Sequence, residues 1–263
     1  MNFSGKTIWI TGASSGIGEA LALEFSKQNC NLILSARRKE KLEEVKQNCK
    51  FPERVKILAF DLAEIENMTV VAEEAILLFG KVDLLINNGG ISQRSLIIDT
   101  DISVDKKIME VDYLGTVALS KAILPHFIKN KSGHFAVVTS LMGKFGSPYR
   151  SGYCAAKHAL HGFFDVLRME HQKDNIKVTI VCPGFVNTNV SRNALVGDGT
   201  VLNKQDDATE NGLEVVDFAQ KMIQAIQKDK FEVYIGKKEI LGIYLKRFFP
   251  KLLHKVAMKA KVR

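Results

Sequence analysis

Two periods alternate along the chain, and that alternation most narrows its possible folds. Short β-branched or apolar runs at 7–11, 31–35, 55–60, 82–86, 134–139, 177–182 and 232–235 read as buried strands. Between them, at 18–28, 40–48, 65–79, 103–130, 152–171 and 215–227, apolar residues recur every three or four positions, as on helices. A strand apolar at successive positions needs cover on both faces, which helices crossing between parallel strands supply. The pattern predicts one doubly wound α/β domain with a mostly parallel sheet of about seven strands flanked by helices. Asp61, Ser103 and Ser151 read as helix caps, and Asn29, Gly80 and Gly133 as helix ends. Residues 1–238 are expected to form this domain, with a mobile insertion over about 187–213. Residues 239–263 read as a basic amphipathic helical tail, broken at Pro250.

Composition removes several alternatives. With 46% hydrophobic and 25% charged residues in 263, the chain is neither disordered nor a low-complexity stalk. Cys30, Cys49, Cys154 and Cys182 lie far apart, without a C-x-x-C pair or a histidine at ligand spacing, so neither a disulfide framework nor a metal site is expected. No apolar run approaches about 18 residues, and a soluble, cytoplasmic protein is expected. The net charge of +8 sits in residues 237–263, which hold nine basic residues and one acid. The rest of the chain is balanced, so a nucleic-acid partner has no electrostatic footprint.

The first strand runs into Thr11-Gly12-Ala13-Ser14-Ser15-Gly16-Ile17-Gly18, with a helix behind it. Glycines there permit a tight turn, let backbone N–H groups and the helix N-terminus approach a pyrophosphate, and let Gly18 pack closely. NAD binding wants a carboxylate near the end of the second strand, about 20 residues on. This chain has Ser35-Ala36-Arg37-Arg38 instead. Guanidinium forks suit a phosphate dianion, which predicts NADP(H); as plain surface charges the two cations would oppose a helix dipole.

The Gly-x-x-x-Gly-x-Gly spacing resembles the fingerprint of the short-chain dehydrogenase/reductase (SDR) family, a Rossmann-like fold. Further motifs stand in the family's order: Asn87-Asn88-Gly89-Gly90 after the fourth strand, Ser140 after the fifth, Tyr153-x-x-x-Lys157, and Pro183-Gly184 after the sixth. The resemblance implies cofactor contacts at Gly12, Ser14, Ser15, Gly16, Ile17, Gly18, Asp61, Leu62, Asn87 and Gly89. It extends them to Tyr153, Lys157, Pro183, Gly184, Val186 and Thr188, beside Arg37 and Arg38.

Tyr153 and Lys157 lie four residues apart, about 6 Å along one helix face. An ammonium beside a phenol favours the phenolate, so Tyr153 is expected to be the general acid in reduction and the general base in oxidation. Ser140 would orient the substrate oxygen. The family's fourth catalytic residue is Asn, and here the position holds Asp112, which would keep Lys157 charged and alter the pH optimum. A second departure is Gly89 for the family's Ala. Met142 and Phe185 join Ser140 and Tyr153 as expected substrate contacts. Residues 143–150 and 191–195 resemble the member-seven branch of the dehydrogenase/reductase set, whose members handle carbonyls of steroids, retinoids or small xenobiotics.

The implied function is an NADP(H)-dependent oxidoreductase acting on a carbonyl or secondary alcohol of a small apolar substrate. Two alternatives stay open: a 3-oxoacyl thioester reductase, and a cofactor-binding sensor with weak turnover. The resemblance also implies a homodimer or homotetramer built on the helices at 103–130 and 152–171. The tail reads either as a charged face over a packed stripe, which is favoured, or as a peripheral membrane or subunit contact. His158 and His161 share a helix face without a third ligand, and a metal is not expected.

Overall fold

The computed structural model describes residues 2–259; Lys261 and Arg263 of the basic tail lie outside them. Seven strands, β1 (Thr7–Thr11), β2 (Asn31–Ser35), β3 (Val55–Ile57), β4 (Leu84–Asn87), β5 (Gly133–Val138), β6 (Ile176–Pro183) and β7 (Glu232–Ile235), pair in parallel throughout, in the order β3-β2-β1-β4-β5-β6-β7. Side chains alternate along them. Ile8 and Ile10, Leu32 and Leu34, Leu84 and Ile86 enter one core, while Trp9, Ile33 and Leu85 enter the other. Both faces of the central strands β1, β2, β4 and β5 are buried, which is why these runs look nearly uniformly apolar in the sequence, whereas the edge strands β3 and β7 are partly exposed.

The helices are α1 (Gly16–Phe25), α2 (Lys39–Asn48), α3 (Met68–Phe79), α4 (Ile102–Ile108), α5 (Thr116–Lys129), α6 (Ser151–Glu170), α7 (Asp207–Glu210), α8 (Val215–Gln227), α9 (Leu241–Phe248) and α10 (Pro250–Lys259). Leu21 and Phe25 of α1, Leu42 of α2 and Phe218 and Met222 of α8 fill the first core. Val71 of α3, Ile123 of α5 and Phe164 of α6 fill the second. Among the described residues no helix is long and apolar enough to cross a membrane.

Several local expectations are corrected. The single helix expected at 103–130 is interrupted by a π-helical segment, Met109–Gly115, between α4 and α5. Buried positions through it, Ile108, Val111, Gly115 and Leu119, still fall three or four apart, which an uninterrupted α-helix would also give, so the sequence pattern does not show it. The run at 55–60 pairs only as far as Ile57. Ser103 and Ser151 lie inside their helices, where Asp101 and Arg150 hold the capping positions. Asp61 Oδ1 accepts the Ala63 N–H at 3.0 Å in a local turn, well before α3. Gly133 opens β5 instead of closing α5; a Cβ on it would lie 2.2 Å from the Phe127 ring. Gly80 does end α3 in the left-handed conformation, whereas α1 stops at Phe25 with Ser26 at its capping position, and Asn29, also left-handed, lies in the turn beyond it. Pro250 is the first residue of α10, where a missing N–H costs nothing.

In this strand order β1 lies between β2 and β4, so the chain leaves it in opposite directions. That switch opens a crevice beyond the carboxyl ends of the strands.

Candidate active site

The crevice begins where β1 ends. Thr11 Oγ1 accepts the N–H groups of Asn88 and Gly89, each at 3.0 Å, tying β1 to the chain leaving β4. Asn88 Nδ2 donates to the carbonyls of Thr11 and Gly12 at 3.0 and 3.3 Å. Gly12 has φ +64°, and a Cβ on it would stand 2.8 Å from Gly89 Cα; one on Gly18 would stand 2.2 Å from the Gly12 carbonyl oxygen. Only hydrogen fits at either position, and the turn lies flat against the start of α1. Ser15 holds the capping position of α1 in an extended conformation, and its side chain caps no amide. The first amides of that helix are therefore left for another acceptor.

The resulting cleft has a volume of about 990 Å³. That is the upper end of the range for small-molecule and cofactor sites. Ser14, Ser15, Gly16 and Ile17 line it with Gly12 at one end, followed by Arg37 and Arg38 after β2 and by Asp61 and Leu62 after β3. The Arg37 guanidinium is mostly exposed, with Nη1 3.9 Å from Asp61 Oδ2. Gly89, Pro183, Gly184, Val186 and Thr188 line the middle, and Ser140, Met142, Tyr153, Lys157 and Phe185 the far end.

Three expected site residues do not line the cleft. Gly18 lies beneath the turn. Asn87 is buried with its amide turned away, donating to Ser120 Oγ at 3.0 Å, and its neighbour Asn88 takes the lining position. Asp112 is wholly buried behind Lys157. In place of a methyl at Gly89, the Leu62 side chain comes within 2.6 Å of where a Cβ would stand, so the departure from Ala is filled from across the cleft.

At the far end Ser140 follows β5 and heads a short 3₁₀ turn, Leu141–Gly143. Its Oγ accepts the Met142 N–H at 3.0 Å, which leaves its own proton for another acceptor. Tyr153 and Lys157 stand one turn apart on α6, the Lys157 ammonium 5.5 Å from the centre of the Tyr153 ring. Lys157 Nζ donates to the Val138 carbonyl at 3.3 Å and forms an ion pair with Asp112 Oδ2 at 3.2 Å. Asp112 Oδ1 accepts the Ile91 N–H at 2.7 Å. Burial penalises the lysine's charge, but the Asp112 carboxylate and the Tyr153 oxygen outweigh it, and its pKa is raised. Burial likewise pushes the Asp112 carboxyl up, against the pull of the ammonium and the Ile91 amide.

A family model for the short chain dehydrogenase matches residues 6–197. The chain belongs to that family. It is 42% identical to an Anopheles gambiae "Dehydrogenase/reductase SDR family protein 7-like" over 89% of this chain and 76% of the relative. It is 39% identical to the human "Dehydrogenase/reductase SDR family member 7" over 92% of this chain and 74% of that one. Among solved structures, a short chain dehydrogenase/reductase from Burkholderia phymatum in complex with NAD superposes with a TM-score of 0.85, at 20% identity and 96% coverage of both chains. ElxO with NADP bound superposes at 0.76, with 24% identity, covering 88% of this chain and 97% of its own. These two share the fold, and they were solved with different dinucleotides.

Within this family framework the end of the cleft near Tyr153 holds Arg94, which sequence reading missed, and a pairing that the sequence does not show. Arg94 and Arg150 line the cleft, buried, and converge on one carboxylate, Asp206. Arg94 binds Asp206 Oδ2 through Nε and Nη2 at 3.2 and 2.9 Å, and Arg150 Nη2 lies 3.6 Å away. Burial would raise the Asp206 carboxyl, but hydrogen bonds from Thr209 and the Arg94 guanidinium hold it below the ordinary value. The segment expected to be a mobile insertion makes further contacts with the body of the domain. Leu195 exchanges backbone hydrogen bonds with Ser92 and Arg94 at 2.8 Å, and Asp101 N–H donates to the Gly197 carbonyl at 2.9 Å. Nothing local in the sequence pairs Arg94 with Asp206, 112 positions apart.

The histidine expectation also changes. Glu232 and Cys182 both reach His161, whose Nε2 lies 3.8 Å from Cys182 Sγ and whose Nδ1 lies 3.9 Å from Glu232 Oε2. A carboxylate and a third donor are thus present. The Lys144 ammonium sits on Glu232 at 2.8 Å, already supplying that carboxylate with a cation.

Proposed function

We propose that this chain is an NADP(H)-dependent oxidoreductase that interconverts a carbonyl and a secondary alcohol on a small apolar substrate. The observation that carries this reading is one cleft joining an uncapped helix N-terminus behind a glycine turn to Ser140, Tyr153 and the Lys157 ammonium. The residues present fit a dinucleotide: at Gly12 and Gly18 a Cβ would fill the space the backbone turn needs. Gly12, Ser14, Ser15, Gly16 and Ile17 would hold the pyrophosphate through backbone N–H groups, with Gly18 allowing the helix its approach. Arg37 and Arg38, with no acid between them and β2, support a 2′-phosphate over a bare ribose. Asp61 and Leu62 would border the adenine. Gly89, Pro183, Gly184, Val186 and Thr188 would border the nicotinamide half. When bound, the nicotinamide supplies or accepts the hydride.

The chain's own residues handle the proton. In reduction the Tyr153 hydroxyl donates to the substrate oxygen, and in oxidation the Tyr153 phenolate takes the alcohol proton. Lys157, held charged by Asp112, favours the phenolate electrostatically, and the Asp112 carboxylate partly opposes that field. Asp112 acts as a positioning residue, through Lys157. Ser140, its Oγ engaged by the Met142 amide, directs its proton to the same substrate oxygen. Phe185 and Met142 would wall the substrate. Residues 1–238 would then supply the reacting groups and the cofactor contacts, while α9 and α10 of the tail add part of the cleft wall.

Fluorescence titration with NADPH and NADH, followed by turnover assays on ketones, aldehydes and 3-oxoacyl thioesters, tests the reading. Tighter NADPH binding with turnover on apolar carbonyls is expected. Turnover on thioesters alone would move the substrate class, and binding without turnover would leave a sensor. Exposed Leu114 before α5 and Val166 and Met169 on α6 support self-association on these helices, which light scattering of the purified chain would count.

A further inference from the structure

The tail expected to hide its apolar stripe hides only part of it. Ile243 and Leu245 of α9 and Leu253 of α10 pack on the second core, and a Cβ on Gly242 would lie 2.6 Å from the Phe145 ring. A second apolar stripe points outward. Away from the cleft it is Tyr244 and Phe248 on α9, then Phe249 and Leu252 leading into α10; Leu241 and Val256, also exposed, extend it to the cleft mouth. Phe248 and Phe249 are 67% and 62% exposed, at the junction of the two helices. Leaving two adjacent phenylalanines in water is costly unless something covers them.

The charges say what covers them. Lys251, Lys255 and Lys259 form a line at i, i+4, i+8 beside Leu252 and Val256, and Arg247, at i+3 from Tyr244, borders the stripe on α9, with Lys246 further round that helix. All five are exposed, and neither helix carries an acid. A second copy of this surface would set like charges against like. An acidic carrier protein would satisfy the lysines but not so wide an apolar face. Aromatic and aliphatic side chains flanked by cations match an anionic phospholipid surface, where rings enter the acyl boundary and ammonium groups meet phosphates. The same two helices wall the cleft, through Leu241, Leu245, Leu253 and Val256.

From this juxtaposition we infer that α9 and α10 are a docking platform for an anionic lipid bilayer, with the apolar mouth of the cleft beside the membrane surface. The docking itself does not depend on the proposed reaction, so vesicle binding tests it without turnover.

The full chain is sedimented with vesicles of phosphatidylcholine, with and without phosphatidylserine, at low and high salt. Expected is binding to the anionic vesicles that weakens with salt. Phe248→Ser with Phe249→Ser should lower the partition coefficient about tenfold or more, since two buried rings are lost. Lys251→Glu with Lys255→Glu should lower it by a comparable factor. Both variants should keep the parent's melting temperature and NADPH affinity, because none of the four side chains packs in the core or lines the cleft. No binding to anionic vesicles at low salt would overturn the inference, as would unchanged binding by the serine variant. Equally decisive against it would be vesicle-free dimerisation abolished by the serine pair, or binding to an acidic acyl-carrier protein but not to vesicles.

Discussion

The two ends of the cleft are built differently. At the end proposed for the nucleotide, Gly12, Ser15 and Gly16 are neighbours in sequence, packed over Gly18, and the surface they offer is backbone. At the substrate end Arg94, Arg150 and Asp206 come from three distant segments and meet through buried side chains. A pyrophosphate asks for N–H groups and close approach, which one turn can satisfy. A substrate pocket asks for walls, which any part of the chain can supply once folded. The first end should therefore respond to local backbone and charge changes, and the second to loss of long-range contacts.

The largest effect expected is at the far end itself. Tyr153→Phe should reduce kcat by about 10²- to 10⁴-fold, with NADPH binding retained in a fluorescence titration. Substantial remaining turnover would separate the chemistry from this end of the cleft.

Next is the clasp. Asp206→Ala leaves two guanidinium groups buried without their carboxylate and should cost about 3–5 kcal/mol of stability, read as a fall in Tm at neutral pH. The Asp206 pKa lies below its ordinary 3.8, so its contribution is present above that pH and is lost as pH falls through the folded-state value. The gap in Tm between parent and variant should accordingly close in acid. If the clasp belongs only to the substrate end, KM for the carbonyl rises while NADPH affinity holds. Equal loss of both would erase the contrast between the ends.

Arg37→Asp probes the nucleotide end alone. It should shift the NADPH/NADH affinity ratio by about 10- to 100-fold towards NADH, the loss of one or two charge-assisted hydrogen bonds. An unchanged ratio would return Arg37 and Arg38 to the role of surface charges.

The smallest effect should come from Asp112→Asn. Removing the carboxylate takes away the attraction that raises the Lys157 pKa, so the alkaline limb of the pH–rate profile should move to lower pH. A profile that does not move would show that the pair only fills space.

Much of the nucleotide end is legible in the sequence because its demands are local: a strand, three glycines, a helix, and two arginines at the end of the next strand. Asn87 and Asn88 mark the limit of such reading. The sequence names the pair, but only the pleat at the end of β4 decides that Asn88 faces the cleft and Asn87 faces Ser120. Asp112 is visible as a departure from Asn, but the π-helical segment that carries it is not visible in the apolar periodicity, nor is its 3.2 Å distance to Lys157. In the tail the amphipathic pattern is plain. Which of its apolar residues are packed follows from where Phe145 and the second core meet α9 and α10.

Taken alone, the amino-acid sequence determined the doubly wound sheet, the glycine turn and the one-turn spacing of Tyr153 and Lys157, because each follows from backbone periodicity over a few residues. The tertiary structure alone decided the Arg94–Asp206 clasp, the His161–Cys182–Glu232 cluster and the outward face of the tail. Those are set by which distant surfaces exclude water together, a property of the packed chain as a whole.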